Sequence, residues 1–136
     1  MKRDEGRPIL QSRGRNSEAA QRFAERRRRE DEAPRLRERV PALATLRLEI
    51  EEHRGTVNAG DPKHLRLVVV DSAPALFELP CGDHACKDGG HDLTDAVLAN
   101  LLSGSTRFEV EDPCQGSIGT AYCGCAMRLV GTATYR

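Results

Sequence analysis

"PCGDHACKDGGHDLTD" is the sequence of residues 80–95, and it places two cysteines and two histidines just before a predicted helix. Cys81 and Cys86 are spaced C-x4-C in a turn that also contains glycine and aspartate. The pair Gly89-Gly90 allows the chain to turn sharply, because glycine adopts backbone conformations that other residues disfavour. The stretch therefore predicts a cysteine-bearing turn that leads directly into a helix.

Three further cysteines lie downstream, and all five occupy predicted strand ends or loops. Zinc takes four nitrogen or sulfur ligands in tetrahedral geometry, and its structural sites are often built from two separate loops. We therefore predict a zinc site, with Zn²⁺ as the cofactor. The simplest ligand set is Cys81, Cys86, Cys114 and Cys123, in which Cys125 or His91 can replace one member.

The cysteine pattern also admits other interpretations. The thiols can be buried without a metal, and Cys123 and Cys125 can form a redox dithiol. A zinc ion with three protein ligands and a water would be catalytic, with Glu78, Asp83 or Asp88 as its base. Five cysteines are enough to fill the coordination shell, so we expect a structural ion and a protein without enzymatic activity, and keep a zinc-dependent hydrolase as an alternative.

The apolar pattern around the cysteines predicts a small α+β domain. Apolar and polar residues alternate in TLRLEIEE (45–52), as is typical of a strand with one wet face, and LRLVVV (65–70) predicts a second, more buried strand. STRFEVED (105–112) and residues 122–135 predict further strands, and LTDAVLANLLSG (93–104) predicts a helix. Short connections favour an antiparallel sheet of four to five strands with the helix packed on one face.

Asp92 stands just before that helix, and aspartate is a favoured N-cap residue. This role accounts for Asp92 without a catalytic one, although His91 and Asp92 together also resemble a histidine oriented by a carboxylate. The cysteine turn followed by a hairpin is broadly similar to zinc-ribbon-like modules. The spacings C-x4-C and C-x8-C-x-C depart from that pattern, so the resemblance transfers no functional residue.

The net charge of zero conceals an uneven distribution. Residues 1–40 contain 13 Lys and Arg against 8 Asp and Glu, whereas residues 41–136 contain 8 against 13. We predict a disordered tail over residues 1–15, a charged, Arg-rich helical arm over 16–40 and a metal-stabilised α+β domain over 41–136. A basic arm on an acidic body suggests an anionic partner for the arm.

Four consecutive arginines, Arg26, Arg27, Arg28 and Arg29, form the centre of this arm. Arginine contacts phosphates through two donors at once, so we predict contacts with the phosphates of RNA, the ribosome or DNA. The alternative is a protein-interaction module in which the arm pairs with an acidic protein. No base-reading motif accompanies the arginines, so any nucleic-acid binding would be directed at the backbone.

The sequence contains no apolar run of membrane-spanning or signal-peptide length. We therefore expect no membrane partner and a cytoplasmic location. Disulfides rarely persist in a reducing compartment, and an odd number of cysteines fits metal-bound thiolates better than bridges.

Overall fold

A computed structural model describes residues 20–54, 63–82, 86 and 89–136. The predicted tail, residues 1–15, lies outside them, as do Asp83 and Asp88. The chain divides into two compact units, Met1–Ala33 and Pro34–Arg136. Within the described residues no helix is long and apolar enough to cross a membrane. The predicted three-part division of the chain stays a prediction.

The described part of the first unit is a helix, α1, over residues 20–32. Its side chains are mostly exposed, including Phe23. The guanidinium carbon of Arg27 lies 5.9 Å from the centroid of the Phe23 ring, within the range of a cation–π contact. The helix therefore offers little apolar surface for packing.

The second unit is α+β. Its elements, in chain order, are α2 (Leu36–Arg39), β1 (Leu43–Arg54), β2 (Lys63–Val68), β3 (Glu78–Leu79), β4 (His91–Asp92), α3 (Thr94–Leu102), β5 (Arg107–Pro113), β6 (Ser117–Ile118), β7 (Ala121–Tyr122) and β8 (Cys125–Tyr135). Four strands form an antiparallel sheet in the order β2-β1-β8-β5, and the short strands form two separate ribbons, β3-β4 and β6-β7. The predicted class, a small antiparallel sheet with one packed helix and a cysteine cluster, is confirmed.

One face of the sheet carries the hydrophobic core. Along β1 the side chains of Leu46, Leu48 and Ile50 are buried, whereas those between them are exposed. Successive side chains of a strand point to opposite faces, so this alternation assigns one face to the core and the other to solvent. Helix α3 contributes Val97, Leu98 and Leu101 to the same core cluster. We refer to these as the core face and the open face.

The close pairing of β5 with β8 requires a glycine at one position. Phe108 lies opposite Gly131 in the register of the two strands. A Cβ atom on Gly131 would stand 2.2 Å from Cζ of Phe108, so the ring occupies the space where another residue would have its side chain.

The segment that precedes β1 also belongs to the core. Leu36 and Val40 are buried in it. Arg37 donates hydrogen bonds to Oδ1 of Asp71 and to the carbonyl oxygens of Pro41 and Leu43. These contacts attach the start of β1 to the turn that follows β2.

The second strand differs from the prediction. LRLVVV was expected to be more buried than the first strand, but β2 lies at the edge of the sheet, and Leu65 and Leu67 are exposed on the open face. An edge strand has a neighbour on one side only, and here one of its faces lies outside the core. Its aliphatic composition therefore does not determine its burial.

Candidate metal centre

The pairing of β5 with β8 brings two cysteines to the same end of the sheet. Pro113 lies opposite Ala126 in the register, and the backbone N–H of Cys114 donates to the carbonyl of Cys125 at 2.8 Å. Both side chains are buried. By the alternation along each strand, both lie on the core face.

A short hairpin returns the chain from Cys114 to Cys123. It consists of β6 and β7, joined by a turn in which Gly119 has a φ of 63°. The N–H of Cys123 donates to the carbonyl of Gly116 at 2.9 Å and closes the base of the hairpin. Cys114 and Cys123 are therefore neighbours in space despite the eight residues between them.

Two carboxylates on the sheet hold the other cysteine segment in place. Oε2 of Glu52 accepts a hydrogen bond from the N–H of Gly82 at 2.8 Å, and Oδ2 of Asp112 lies 2.8 Å from Nδ1 of His91. Glu52 and Asp112 lie on either side of Met127 in the strand register. The loop that carries Cys81 and Cys86 is therefore attached at both of its ends to one row of the sheet.

The four cysteines form one compact group. Their Sγ atoms all lie within 4.8 Å of one another, and the Cys81–Cys123 and Cys86–Cys114 separations are both 3.6 Å. Sulfurs at the corners of a tetrahedron around zinc are about 3.8 Å apart, because each Zn–S bond is about 2.3 Å. The four thiols are therefore arranged so that they can hold a metal ion.

Because Gly89 has no side chain, the Sγ atoms of Cys86 and Cys114 can lie close to its backbone. A Cβ atom at this position would stand 2.3 Å from Sγ of Cys86 and 2.5 Å from Sγ of Cys114. Gly90 has a φ of 136°, which supports its predicted role in the turn. The sequence suggested only flexibility for Gly89, because the close approach of two sulfurs depends on the folded arrangement.

Backbone N–H groups point at the sulfurs of the downstream pair. The N–H of Gly116 donates to Sγ of Cys114 at 3.4 Å. The N–H of Cys125 holds the pKa of the Cys123 thiol below its ordinary value, at about 7. Burial, by contrast, raises the pKa of Cys86 to about 11. The backbone N–H groups therefore favour the thiolate form of the downstream pair, and a bound cation would favour it on all four sulfurs.

The two predicted alternates lie outside the group of four sulfurs. Cys125 is buried next to it, and its backbone N–H supports Cys123. His91 is 3% exposed and its Nδ1 is occupied by Asp112, while its Nε2 is buried without a hydrogen-bond partner among the described residues. The choice between the first ligand set and these alternates stays a prediction.

Asp92 is not the N-cap residue, a position that Leu93 occupies. Asp92 belongs to the two-residue strand β4, and its Oδ1 accepts a hydrogen bond from the N–H of Thr94 at 3.1 Å. The side chain therefore still satisfies a donor of the first helical turn, from one position earlier than predicted.

Sequence reasoning did not identify Glu52 and Asp112 as supports of the cysteine loop. Both lie on the core face, where the strand pattern would place an apolar residue. A carboxylate at an apolar position of a strand, near its end, was the available signal. Its partner could not be inferred, because the strand register sets which loop it reaches.

The four predicted phosphate-binding arginines lie on α1, in the first unit. Arg27, Arg28 and Arg29 are exposed and Arg26 is half-buried. Arg29 and the neighbouring Glu30 each take part in a further interaction with another residue. The described helix thus presents basic side chains to solvent, with acidic residues among them.

No protein-family model matches this chain, and neither a curated protein nor a solved structure shows significant similarity to it. A functional assignment therefore depends on the geometry of the chain itself.

Proposed function

We propose that Cys81, Cys86, Cys114 and Cys123 bind one structural zinc ion, and that the chain is a non-enzymatic zinc-binding protein. The observation that carries this proposal is the group of four Sγ atoms within 4.8 Å of one another. Three separate segments supply them, so one ion would join parts of the chain that are distant in sequence.

A four-thiol set favours a structural role over a catalytic one. Catalytic zinc retains an open position for water or substrate, whereas four cysteines complete the tetrahedron. Two backbone N–H groups directed at sulfur also suit thiolates that remain bound, because they stabilise negative charge on sulfur.

Metal analysis of the purified chain tests the proposal. Sulfur tetrahedra suit iron as well as zinc, and a cluster or ferric site would absorb visible light. We expect one zinc per chain, a colourless protein, and release of that zinc when the thiols are modified with a mercurial reagent. A chain purified without metal, and unable to take up zinc under reducing conditions, would contradict the assignment.

We further propose that the chain works in the cytoplasm. Thiols stay reduced in that compartment, so the cysteines would remain able to bind zinc. The five cysteines, all of them described residues, form no disulfide with one another, which supports this location.

We propose that the arginines of α1 contact the phosphates of RNA, of DNA or of the ribosome. The exposure of Arg27 to Arg29 supports the proposal. Binding of this kind weakens as salt rises, with a slope that reports the number of phosphates neutralised.

Substitution of Arg26 to Arg29 by glutamine tests the arm. We expect affinity for a labelled RNA duplex to fall by roughly tenfold or more and the salt slope to become shallower. The same four positions changed to lysine provide the control, because the charge is kept and backbone-directed binding should largely survive. An affinity unchanged by the glutamine variant would exclude the arm as a nucleic-acid contact and leave an acidic protein as its partner.

A further inference from the structure

The edge strand β2 presents an unusual surface for a strand that borders solvent. Leu65 is 58% exposed, Leu67 is 71% exposed and Val69, just after the strand, is 68% exposed. Leu65 and Leu67 lie opposite Glu49 and Arg47 of β1 and therefore share the open face of the sheet. Isolated exposed aliphatic residues are ordinary, but a continuous aliphatic row on a free strand is typical of a contact surface.

The outer edge of β2 is unpaired in the part of the chain that the structure describes. Within the described residues β2 pairs with β1 alone, as the terminal strand of the sheet. A terminal strand has backbone N–H and C=O groups without strand partners, and an added strand can satisfy them.

The charged side chains of β2 indicate which side chains an added strand would need in order to pair with it. Arg66 and His64 lie opposite Leu48 and Ile50, so both belong to the core face. Both are exposed, and among the described residues the side chain of Arg66 has neither an ion-pair nor a hydrogen-bond partner. Lys63, on the open face, lies 3.4 Å from Oε2 of Glu51. The core face of the strand thus carries His64 and Arg66, and the open face carries the aliphatic row with Lys63 at its start.

A second copy of β2 would be a poor partner for this edge. Pairing two such strands would bring together two sets of three basic or titratable side chains, and like charges across a strand pair are destabilising. The complementary sequence alternates acidic with aliphatic residues, so that carboxylates face Arg66 and His64 while aliphatic side chains cover Leu65 and Leu67.

We propose that β2 is a docking site for an extended segment of a partner protein in which acidic and aliphatic residues alternate. The segment adds to the sheet as a fifth strand. Backbone hydrogen bonds provide most of its affinity, and the side chains on the two faces of β2 provide its specificity. This site is independent of the metal centre and of the arm.

A titration of the ¹⁵N-labelled full chain with synthetic peptides tests the proposal. The probe is an acetylated, amidated seven-residue peptide of alternating glutamate and valine. Two matched peptides serve as controls: one has lysine in place of glutamate, and the other is N-methylated at alternate residues. We expect saturable shifts of the amide signals of residues 63–69 with the first peptide, and neither control should produce them.

Variants of the chain locate the charge contact. Arg66→Glu should weaken peptide binding by about tenfold, whereas Arg107→Glu, the same charge change on the opposite edge strand, should leave it unchanged. Equal losses in both variants would reduce the binding to net charge and overturn the proposal. It would also be overturned by equal binding of the N-methylated peptide, by the absence of saturable shifts, or by concentration-dependent pairing of the chain through residues 63–69 without peptide.

Discussion

The two ends of the sheet are stabilised in different ways. At one end, which we call the aliphatic end, large side chains of helices and strands pack together: Leu36, Leu43, Leu48, Leu93, Leu101 and Leu129 are all less than 2% exposed. Beyond Met127, at the cysteine end, the buried cluster consists of cysteines with Ile118 packed against them. Fully burying a leucine contributes roughly 1.5–3 kcal/mol, which a thiol cluster cannot match by packing alone.

This difference follows from composition. The chain has no tryptophan and only five phenylalanines and tyrosines in total. Few large side chains are therefore present to fill the core at the cysteine end of the sheet. A metal bound by the four cysteines would supply through coordination what the cysteine end lacks in buried area, and its binding energy would become folding energy. We therefore expect the two ends to respond differently to substitution.

The largest expected effect is at the metal centre. Cys114→Ser removes one ligand, and we expect loss of the bound zinc and a drop of about 4 kcal/mol or more in the free energy of unfolding, the range in which loss of a metal site falls. Metal analysis and chemical denaturation measure both quantities. Cys125→Ser is the matched control, because Cys125 is buried beside the group and lies outside it, and zinc should be retained. Zinc kept by Cys114→Ser and lost by Cys125→Ser would reverse the ligand assignment.

At the aliphatic end, Leu129→Ala should destabilise the chain without affecting metal content. A buried leucine truncated to alanine costs about 2–5 kcal/mol, because the transfer energy and the cavity add. Denaturant unfolding checks the loss, and Leu65→Ala, at an exposed position, should stay within about 0.5 kcal/mol of the parent. A Leu129→Ala protein that released its zinc would show that the ends are not separable.

Two glycine substitutions compare close contacts at the two ends. Gly89→Ala places a Cβ against two sulfurs, and we expect zinc affinity to fall by about 10- to 100-fold, as when a metal site loses its supporting shell. Gly131→Ala meets the ring of Phe108 and should cost about 1–3 kcal/mol of stability with zinc affinity unchanged. Competition with a chromophoric chelator measures the affinities. Equal zinc affinity in both variants would contradict the crowding inferred at Gly89.

A smaller effect is expected at the row of carboxylates. Asp112→Ala leaves the buried His91 ring without its Nδ1 partner, at a cost of about 1–3 kcal/mol. Glu111→Ala, at the next and exposed position, is the control and should be nearly neutral. Amide exchange should show the loss first in the loop that carries Cys86. An unchanged exchange rate in this loop would show that Asp112 does not hold the loop to the sheet.

The smallest expected effect depends on pH, at the turn far from the cysteines. The hydrogen bond from Arg37 holds the pKa of Asp71 below its ordinary value of 3.8. A carboxylate with a lowered pKa in the folded chain stabilises it above that ordinary value, and the contribution is lost as pH falls through the lowered pKa. Asp71→Asn should therefore lose less stability than the parent between pH 6 and pH 3, as measured by thermal unfolding. A larger loss of stability in Asp71→Asn than in the parent over this pH range would contradict the prediction.

Local patterns predicted the parts of the fold that depend on local sequence. The alternation in TLRLEIEE predicted β1 because one face of that strand is core, and the apolar spacing after Asp92 predicted α3. The exposure of Leu67 could not be predicted, because the same aliphatic run fits a central strand or an edge strand, and only the sheet order distinguishes the two.

The same limit applies to the site. The residue types and their position at strand ends predicted that cysteines from separate segments would meet. The position of His91 outside the group of four sulfurs and the close contacts at Gly89 depend on distances between segments far apart in sequence. Register is a property of the whole sheet, so a linear pattern leaves these details open.

The most direct test of this account is zinc titration of the metal-stripped chain under reducing conditions, followed by amide hydrogen exchange. We predict saturation at one equivalent and a large gain in protection for residues 112–128, with little change for residues 43–50 at the aliphatic end. Equal protection of residues 112–128 with and without zinc would contradict the claim that a metal holds the cysteine end of the sheet together.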